Sequence, residues 1–306
     1  MTTEPEFKAG RSRQKQTSPD EVIPSIGELV RSAKYTVLHY VDLDGQAQKF
    51  DYGEVCRTDT HPIPMPIDRE GYGTVETSPN YWATGYGDWM NVRKAIDKHC
   101  DHQPQRLLDF GCATGRFLRH VMSFSELETY GSDLAPANVN WVRRHLPESL
   151  NVVENSTDAN LPFDDHFFDV VTAFSVFTHI DIGWEDWLAE LVRITNPNGL
   201  LYITIQNQAA WDKVVDRPGA LEHLMRANNI AGNLHVDADI FNQPMPQERI
   251  VFRMSNDNVY NCNVWCTDQF VRDQWSKYAD VLAIANNAHT AYQSVVMMRP
   301  KNSQNG

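Results

Sequence analysis

The stretch LLDFGCATGRF, from Leu107 to Phe117, places an acid, Asp109, directly before two glycines, Gly111 and Gly115. The apolar start reads as a buried strand, the glycines as a sharp turn, and the residues from Gly115 onward as the opening of a helix. Gly111 and Gly115, with Cys112 and Ala113 between them, let the backbone turn tightly and approach a ligand closely. The helix that follows offers unpaired N–H groups at its start. This is the outline of a nucleotide-binding loop. The dinucleotide pattern G-x-G-x-x-G nevertheless fails, because Ala113 stands at the second glycine and Arg116 at the third. Asp109 would repel a pyrophosphate and attract an ammonium. The loop therefore suits an amino-acid-bearing nucleoside better than a dinucleotide.

Other residues of matching type follow in order. Asp133 ends the next apolar run, eighteen residues after Gly115. A carboxylate there can accept hydrogen bonds from two ribose hydroxyls, which fits NAD or another adenosine ligand. Further on, Asp158 and Ala159 can meet an adenine edge, and the Leu161-Pro162-Phe163 run can wall the base. Each piece alone also reads as a turn, a cap or plain packing. Their order and spacing point to one ligand.

Strands and helices must hold these residues. The expected strands run Arg106–Phe110, Thr129–Ser132, Leu150–Glu154, Asp169–Phe174 and Gly199–Ile205. Helices are expected over Gly115–Met122, over Pro136–His145 with proline in the first turn, and over Trp184–Ile194. The last carries a stripe of Trp184, Trp187, Leu188, Leu191 and Ile194. Such alternation predicts a parallel sheet covered by helices on both faces, with ligands at the carboxyl ends of the strands. Before this domain, an Asp44-Gly45 turn within alternating residues predicts a β-hairpin. The aromatics Tyr81, Trp82, Tyr86 and Trp89 precede or enter a helix carrying Val92 and Ile96. Residues 207–264 read as an insertion over the sheet edge, holding a helix at Gly219–Asn228 and a strand at RIVFRM. A helix in DQFVRDQWSKYA and two strands joined by Asn286–Thr290 complete the chain. The expected layout is thus a tail over 1–33, a hairpin and loop extension over 34–80, a main domain over 81–300 and a short tail over 301–306.

Composition limits the partners. With 42% hydrophobic and 22% charged residues, the 306-residue chain has the make-up of a soluble globular protein. A net charge of −13 disfavours nucleic acid, and no apolar run approaches the length of a membrane span. Five scattered cysteines suggest neither a zinc site nor a disulfide framework, so a reducing cytoplasm is expected. The first residues have no apolar core and read as a disordered, mildly basic tail.

From about Tyr81 to Arg299 the chain resembles the class I S-adenosylmethionine-dependent methyltransferases. The resemblance rests on LLDFGCATGRFLRH, YGSDL, TDANLPFDDHFFDVV, AFSVFTHI and RITNPNGLLYITI. It is nearest to the small-molecule branch whose fourth strand leads into SVFTH. The resemblance implies a Rossmann-like seven-stranded sheet with the last strand antiparallel, and S-adenosyl-L-methionine as cofactor. It implies that Asp109 and Gly111 lie near the methionine end, that Asp133 binds the ribose with Leu134 against adenine, and that Asp158 and Ala159 meet the adenine edge. Phe174 and Ser175 would line the pocket after strand four. Ala113 replaces the central glycine, and Asn196-Pro197-Asn198-Gly199 replaces the usual P-G-G turn; a left-handed asparagine would preserve that turn.

Methyl transfer to oxygen calls for alignment, exclusion of water and a base. The expected base is His179, with Asp181 beside it. Gln206 and Asn207 after strand five, with Tyr72 and His235, are the expected acceptor contacts. Tyr81 and Trp82 are candidates for a lid over the sulfonium or for packing. The absence of an Asn/Asp-Pro-Pro-Tyr stretch at AFSV argues against methylation of a nucleobase amine. No metal is expected. The expected acceptor is a small polar molecule such as a sugar or natural-product metabolite. A silent partner subunit and a protein or RNA methyltransferase are the other readings, and a homodimer through the hairpin is open.

Overall fold

The computed structural model describes residues 22–29, 37–69, 74–225, 229–230, 238–253, 262–290 and 292–301. Tyr72 and His235 lie outside the described residues.

The hairpin forms as expected, from β1 (Val37–Val41) and β2 (Ala47–Asp51). Gly45 takes a φ of 75°, and Asp42 Oδ1 accepts the backbone N–H groups of Asp44 and Gln46. Within the expected tail, one turn of helix at Ile26–Leu29 buries Ile26 fully, and Ile23 forms a bridge to Ile63. These residues therefore belong to the packed structure.

Helix α1 (Ser78–His99) begins earlier than the aromatic cluster suggested and contains all of it. A proline in its first turn and Lys98 and His99 in its last suit the two ends of the helix dipole. Asn91 Nδ2 donates to the carbonyls of Val41 and Ala288, so α1 ties the hairpin to the end of the main sheet.

The main sheet is built from β3 (Arg106–Phe110), β4 (Glu128–Asp133), β5 (Asn151–Glu154), β6 (Phe168–Ala173), β7 (Thr195–Ile205), β10 (Ala279–His289) and β11 (Gln293–Pro300). Between them lie α2 (Leu118–Phe124), α3 (Pro136–His145) and α4 (Trp184–Ile194). The spatial order is β10-β11-β7-β6-β3-β4-β5. β11 alone runs against the direction of the other six strands, so the seven-stranded expectation holds. Helix α4 buries Trp187, Leu188, Leu191 and Ile194 against one face, with Glu185 and Asp186 in its first turn and Arg193 in its last.

Two local expectations are corrected. Neither Asn196 nor Asn198 takes a positive φ; instead Asn196 Oδ1 accepts the N–H of Asn198, and the strand continues through the turn. Gly199 is needed because a Cβ there would stand 2.6 Å from the Asp169 carbonyl. The expected connection Asn286–Thr290 is largely strand, since β10 runs on to His289 through an irregular register.

The insertion holds α5 (Pro218–Met225), β8 (Arg249–Arg253) and β9 (Cys262–Cys266), and is followed by α6 (Asp268–Gln274). Strands β8 and β9 pair antiparallel around a core of Trp211, Phe241, Phe252 and Trp265. It attaches at the carboxyl ends of β6 and β7, not along a sheet edge: Val264 N donates to Thr178 O, and Cys266 N to Gln206 O.

Candidate active site

The turn after β3 is shaped by three left-handed residues: Gly111 at φ 77°, Ala113 at 45° and Gly115 at 75°. Gly111 and Gly115 are also held by space. A Cβ on Gly111 would lie 2.4 Å from Val176, and one on Gly115 2.6 Å from Leu146. The first contact shows that the turns after β3 and β6 lie against each other. Ala113 carries a side chain in a conformation that costs a non-glycine residue about 1–2 kcal/mol.

Asp133 holds that conformation in place. Its Oδ2 accepts the Ala113 N–H at 2.7 Å, while Oδ1 accepts the Ala135 N–H at 2.9 Å and Asn138 Nδ2 at 3.0 Å. Asp133 therefore staples the loop to the start of α3. Each carboxylate oxygen accepts two hydrogen bonds, so Oδ2 retains capacity for a hydroxyl.

Asp109 is buried, and its Oδ1 accepts the Thr172 hydroxyl at 2.8 Å. Burial pushes its carboxyl up to about 7, against the hydrogen bond from Thr172 and the charge of Arg116; Asp88 and Asp133 add to the rise. An ammonium beside it would restore its charge. The thiol of Cys112 is buried, and burial first, then Asp109 and Asp133, pushes it well above the ordinary range. A Cβ on Gly131 would lie 2.9 Å from Cys112 Sγ, so that side chain packs beneath the loop. Cys112 can meet a ligand only through its backbone.

Helix α1 lies along this loop. Tyr81 Oη is 3.0 Å from Thr114 Oγ1. A Cβ on Gly85 would fall 2.3 Å from the Arg116 carbonyl, so glycine is required there. One turn later Asp88 Oδ2 is 2.6 Å from Arg116 Nη1, and Asp88 Oδ1 is 2.8 Å from His289 Nδ1. Burial opposes the charge on Asp88, but His289 and Arg116 outweigh it and hold the carboxyl below its usual range. Asp88, Arg116 and His289 are not site candidates on sequence grounds alone. Gly85 is the available signal, since a glycine inside a helix marks a close approach.

Phe174 and Ser175 stand at the turn after β6. Ser175 has a φ of 58°, its N–H donates to Thr204 Oγ1 and its hydroxyl to Gln293 Oε1. The Phe174 ring packs on Phe117, Tyr202 and His289. Asp158 faces solvent and Leu134 is 44% exposed. Asp158 and Ala159 open onto a cleft of about 520 Å³ shared with Ile182, Gly183 and Asp186. A second cleft, about 570 Å³ with Arg106, Glu128 and Asp169 on its wall, lies at the opposite ends of the strands, away from the loop.

Several expected roles are corrected by burial and partners. Trp82 is fully buried, stacks on Tyr86 and donates its indole N–H to Asp59, which leaves it unable to act as a lid. Asp181 is clamped by Arg249 and Arg253 of β8, so its carboxylate is committed to holding the insertion. Gln206 donates to the Val264 carbonyl inside the same junction. Asn207 donates to Asp268 and Asn286 and accepts from Ser294, with 1% exposure. The Asn207 amide is committed to these partners, and the Gln206 amide is tied to the insertion through Nε2. His179 Nδ1 lies 2.7 Å from the Cys262 carbonyl, and Cys262 Sγ donates to the His179 carbonyl. This histidine also sits on the insertion's anchor.

The sheet order and the acid-glycine turn agree with what the resemblance to class I methyltransferases implies. Residues 108–203 match the family model described as "Methyltransferase domain". The phthiotriol/phenolphthiotriol dimycocerosates methyltransferase 1 of Mycobacterium ulcerans is 30% identical over 119 residues, 38% of this chain and 43% of that one. The malonyl-[acyl-carrier protein] O-methyltransferase of Halorhodospira halophila is 32% identical over 127 residues, 37% of this chain and 41% of that one. The chain thus spans less than half the length of these two relatives. A solved S-adenosylmethionine dependent methyltransferase from Mesorhizobium loti is 11% identical, with a TM-score of 0.48, over 70% of this chain and 97% of that one. The cofactor such domains use fits the residues present: an acid raised by burial where an ammonium would sit, and a carboxylate with capacity left for a ribose.

Proposed function

We propose that this chain transfers a methyl group from S-adenosyl-L-methionine to the oxygen of a small polar acceptor, such as a sugar or natural-product metabolite. The observation that carries the reading is the stapled loop: Asp109, Gly111, Ala113 and Gly115 held in one shape by Asp133. Asp109 and the Gly111 backbone would take the amino-acid end, Asp133 the ribose, and Leu134, Asp158 and Ala159 the adenine. Bound there, the cofactor supplies a methyl group already activated by its sulfonium. The chain's own work is alignment and exclusion of water. Tyr81 closes the loop from the side of α1, and the insertion stands over the carboxyl ends of β6 and β7, where an acceptor would enter. The O-methyltransferase named among the relatives supports oxygen as the target.

Calorimetry with S-adenosyl-L-homocysteine and with NAD tests the reading. Binding of the first and not the second is expected, and Asp133→Ala should weaken it by about 1–3 kcal/mol. NAD binding alone would overturn the proposal.

A further inference from the structure

We propose that His289, oriented by Asp88, is the group that takes the proton from the acceptor hydroxyl. The inference rests on the methyl-transfer reading above. Strand β10 runs parallel to β7, β6, β3, β4 and β5, so its last residue, His289, reaches the carboxyl edge of the sheet. That is the edge that carries the glycine turn, Asp133 and Phe174. The His289 ring lies 5.2 Å from the ring of Phe174. The next residue, Ser175, is bonded to Gln293 at the start of β11. The hairpin of β10 and β11 thus closes on the turn beside Gly111.

The hydrogen-bond chemistry fixes the tautomer. Asp88 is ionised, so it can only accept. The Nδ1 of His289, 2.8 Å away, therefore donates to Asp88, which leaves Nε2 as the ring position that can take a proton. A base held by a third group in this way is the arrangement that nucleophile activation requires. The groups facing it are Asp88 from α1, Arg116 from the loop and, through Asp88, the Tyr202 phenol from β7.

A purely structural tie does not account for the cluster. Asn91, three residues after Asp88, already joins α1 to Ala288 with a neutral hydrogen bond. Charged groups are more expensive to bury than that amide. A second observation points to a ligand. The Tyr202 hydroxyl is fully buried, has no hydrogen-bond partner and belongs to a ring packed on Phe174. That hydroxyl can donate to an oxygen from outside the chain, a water or a ligand atom.

The step balances. The acceptor O–H proton passes to Nε2 of His289 while its oxygen forms the bond to the methyl carbon. The carbon–sulfur bond breaks with its electron pair left on sulfur, and the imidazolium then returns its proton to solvent.

Nitrogen-15 NMR of the full chain tests this, with His289→Gln used to assign the signal. The free protein should show His289 as the Nδ1–H tautomer, and Asp88→Asn should change that tautomer while Asp88→Glu restores it. Complexes with S-adenosyl-L-methionine and S-adenosyl-L-homocysteine differ by one methyl and one positive charge. If Nε2 faces the methyl, the His289 titration midpoint should lie about one pH unit lower in the first complex, a tenfold larger proton-dissociation constant. An Nε2–H tautomer, or equal titration in the two complexes, overturns the role of His289 and leaves the proposed function standing. Failure of calorimetry to detect either ligand overturns both.

Discussion

Replacing Asp109 with asparagine should make the protein more stable at neutral pH and much less so near pH 4.5. The side chain is buried and its carboxyl is pushed up to about 7, first by burial and then by Asp88 and Asp133. In the unfolded chain it titrates near the ordinary value of about 3.9. Between those two values the folded state binds a proton that the unfolded state has lost, so stability falls as pH rises through the window. That difference in proton binding costs the fold about 4 kcal/mol at pH 7.5, against about 1 kcal/mol at pH 4.5. Asparagine keeps an oxygen for the Thr172 hydroxyl and never ionises. The gain from Asp109→Asn should therefore grow by about 3 kcal/mol between pH 4.5 and 7.5, read from urea midpoints at constant slope. A gain that stays flat with pH would refute the burial argument. The same residue makes a second statement. An incoming ammonium lets Asp109 ionise, so binding of S-adenosyl-L-homocysteine at pH 6 should release about one proton. Calorimetry in buffers of different ionisation heat reads that proton directly, and Asp109→Asn should abolish it.

Ala113→Gly should stabilise the protein by about 0.5–1 kcal/mol, because relief of the left-handed strain exceeds the entropy glycine adds to the unfolded chain; a loss in chemical denaturation would contradict the strain. Asp59→Asn should cost about 3–5 kcal/mol, since it leaves the fully buried Arg119 guanidinium without its carboxylate. Burial opposes the charge on Asp59, but Arg119 and Trp82 hold its carboxyl low, so its stabilisation is present above about pH 4 and lost as pH falls below; an unchanged acid transition in Asp59→Asn would count against it. Asp181→Asn should loosen the insertion and leave the main sheet intact. Amides of β8 and β9 should then exchange faster while those of β3 and β6 do not, and equal acceleration in both sheets would show that the clamp is not local.

The parts of the site that are legible in the sequence are those set by short-range rules. Strand β3 and helices α3 and α4 have the expected bounds, because a buried apolar run, a first-turn proline and a 3.6-residue stripe are local signals. The glycines and Asp109 are legible for the same reason: turn geometry and charge are properties of neighbours in the chain. The misread site residues have partners far along it. Asp181 looks like a base until Arg249 and Arg253, 68 and 72 residues on, occupy it. Asn207 looks like a substrate contact until Asp268, Asn286 and Ser294 use its amide. Trp82 looks like a lid until Asp59 and the hairpin bury it.

The three acids around the loop show why type and spacing cannot assign a charge state. Asp133 is surrounded by two backbone N–H groups and an amide. Asp88 lies between a guanidinium and an imidazole, and is held ionised in spite of burial. Asp109 has a single hydroxyl donor and two neighbouring carboxylates, and is pushed toward the neutral form. One side chain thus does three things: it shapes the loop, orients a histidine, and waits for a cation. Burial raises both Asp88 and Asp109, and the charges beside each decide which way it goes. This divergence also orders the events at the site. Asp133 holds the loop and Asp88 holds His289 without a ligand, so both are preorganised. Asp88 is held ionised by its partners while the charge of Asp109 depends on what binds, and so the amino-acid end of the cofactor should make affinity depend on pH.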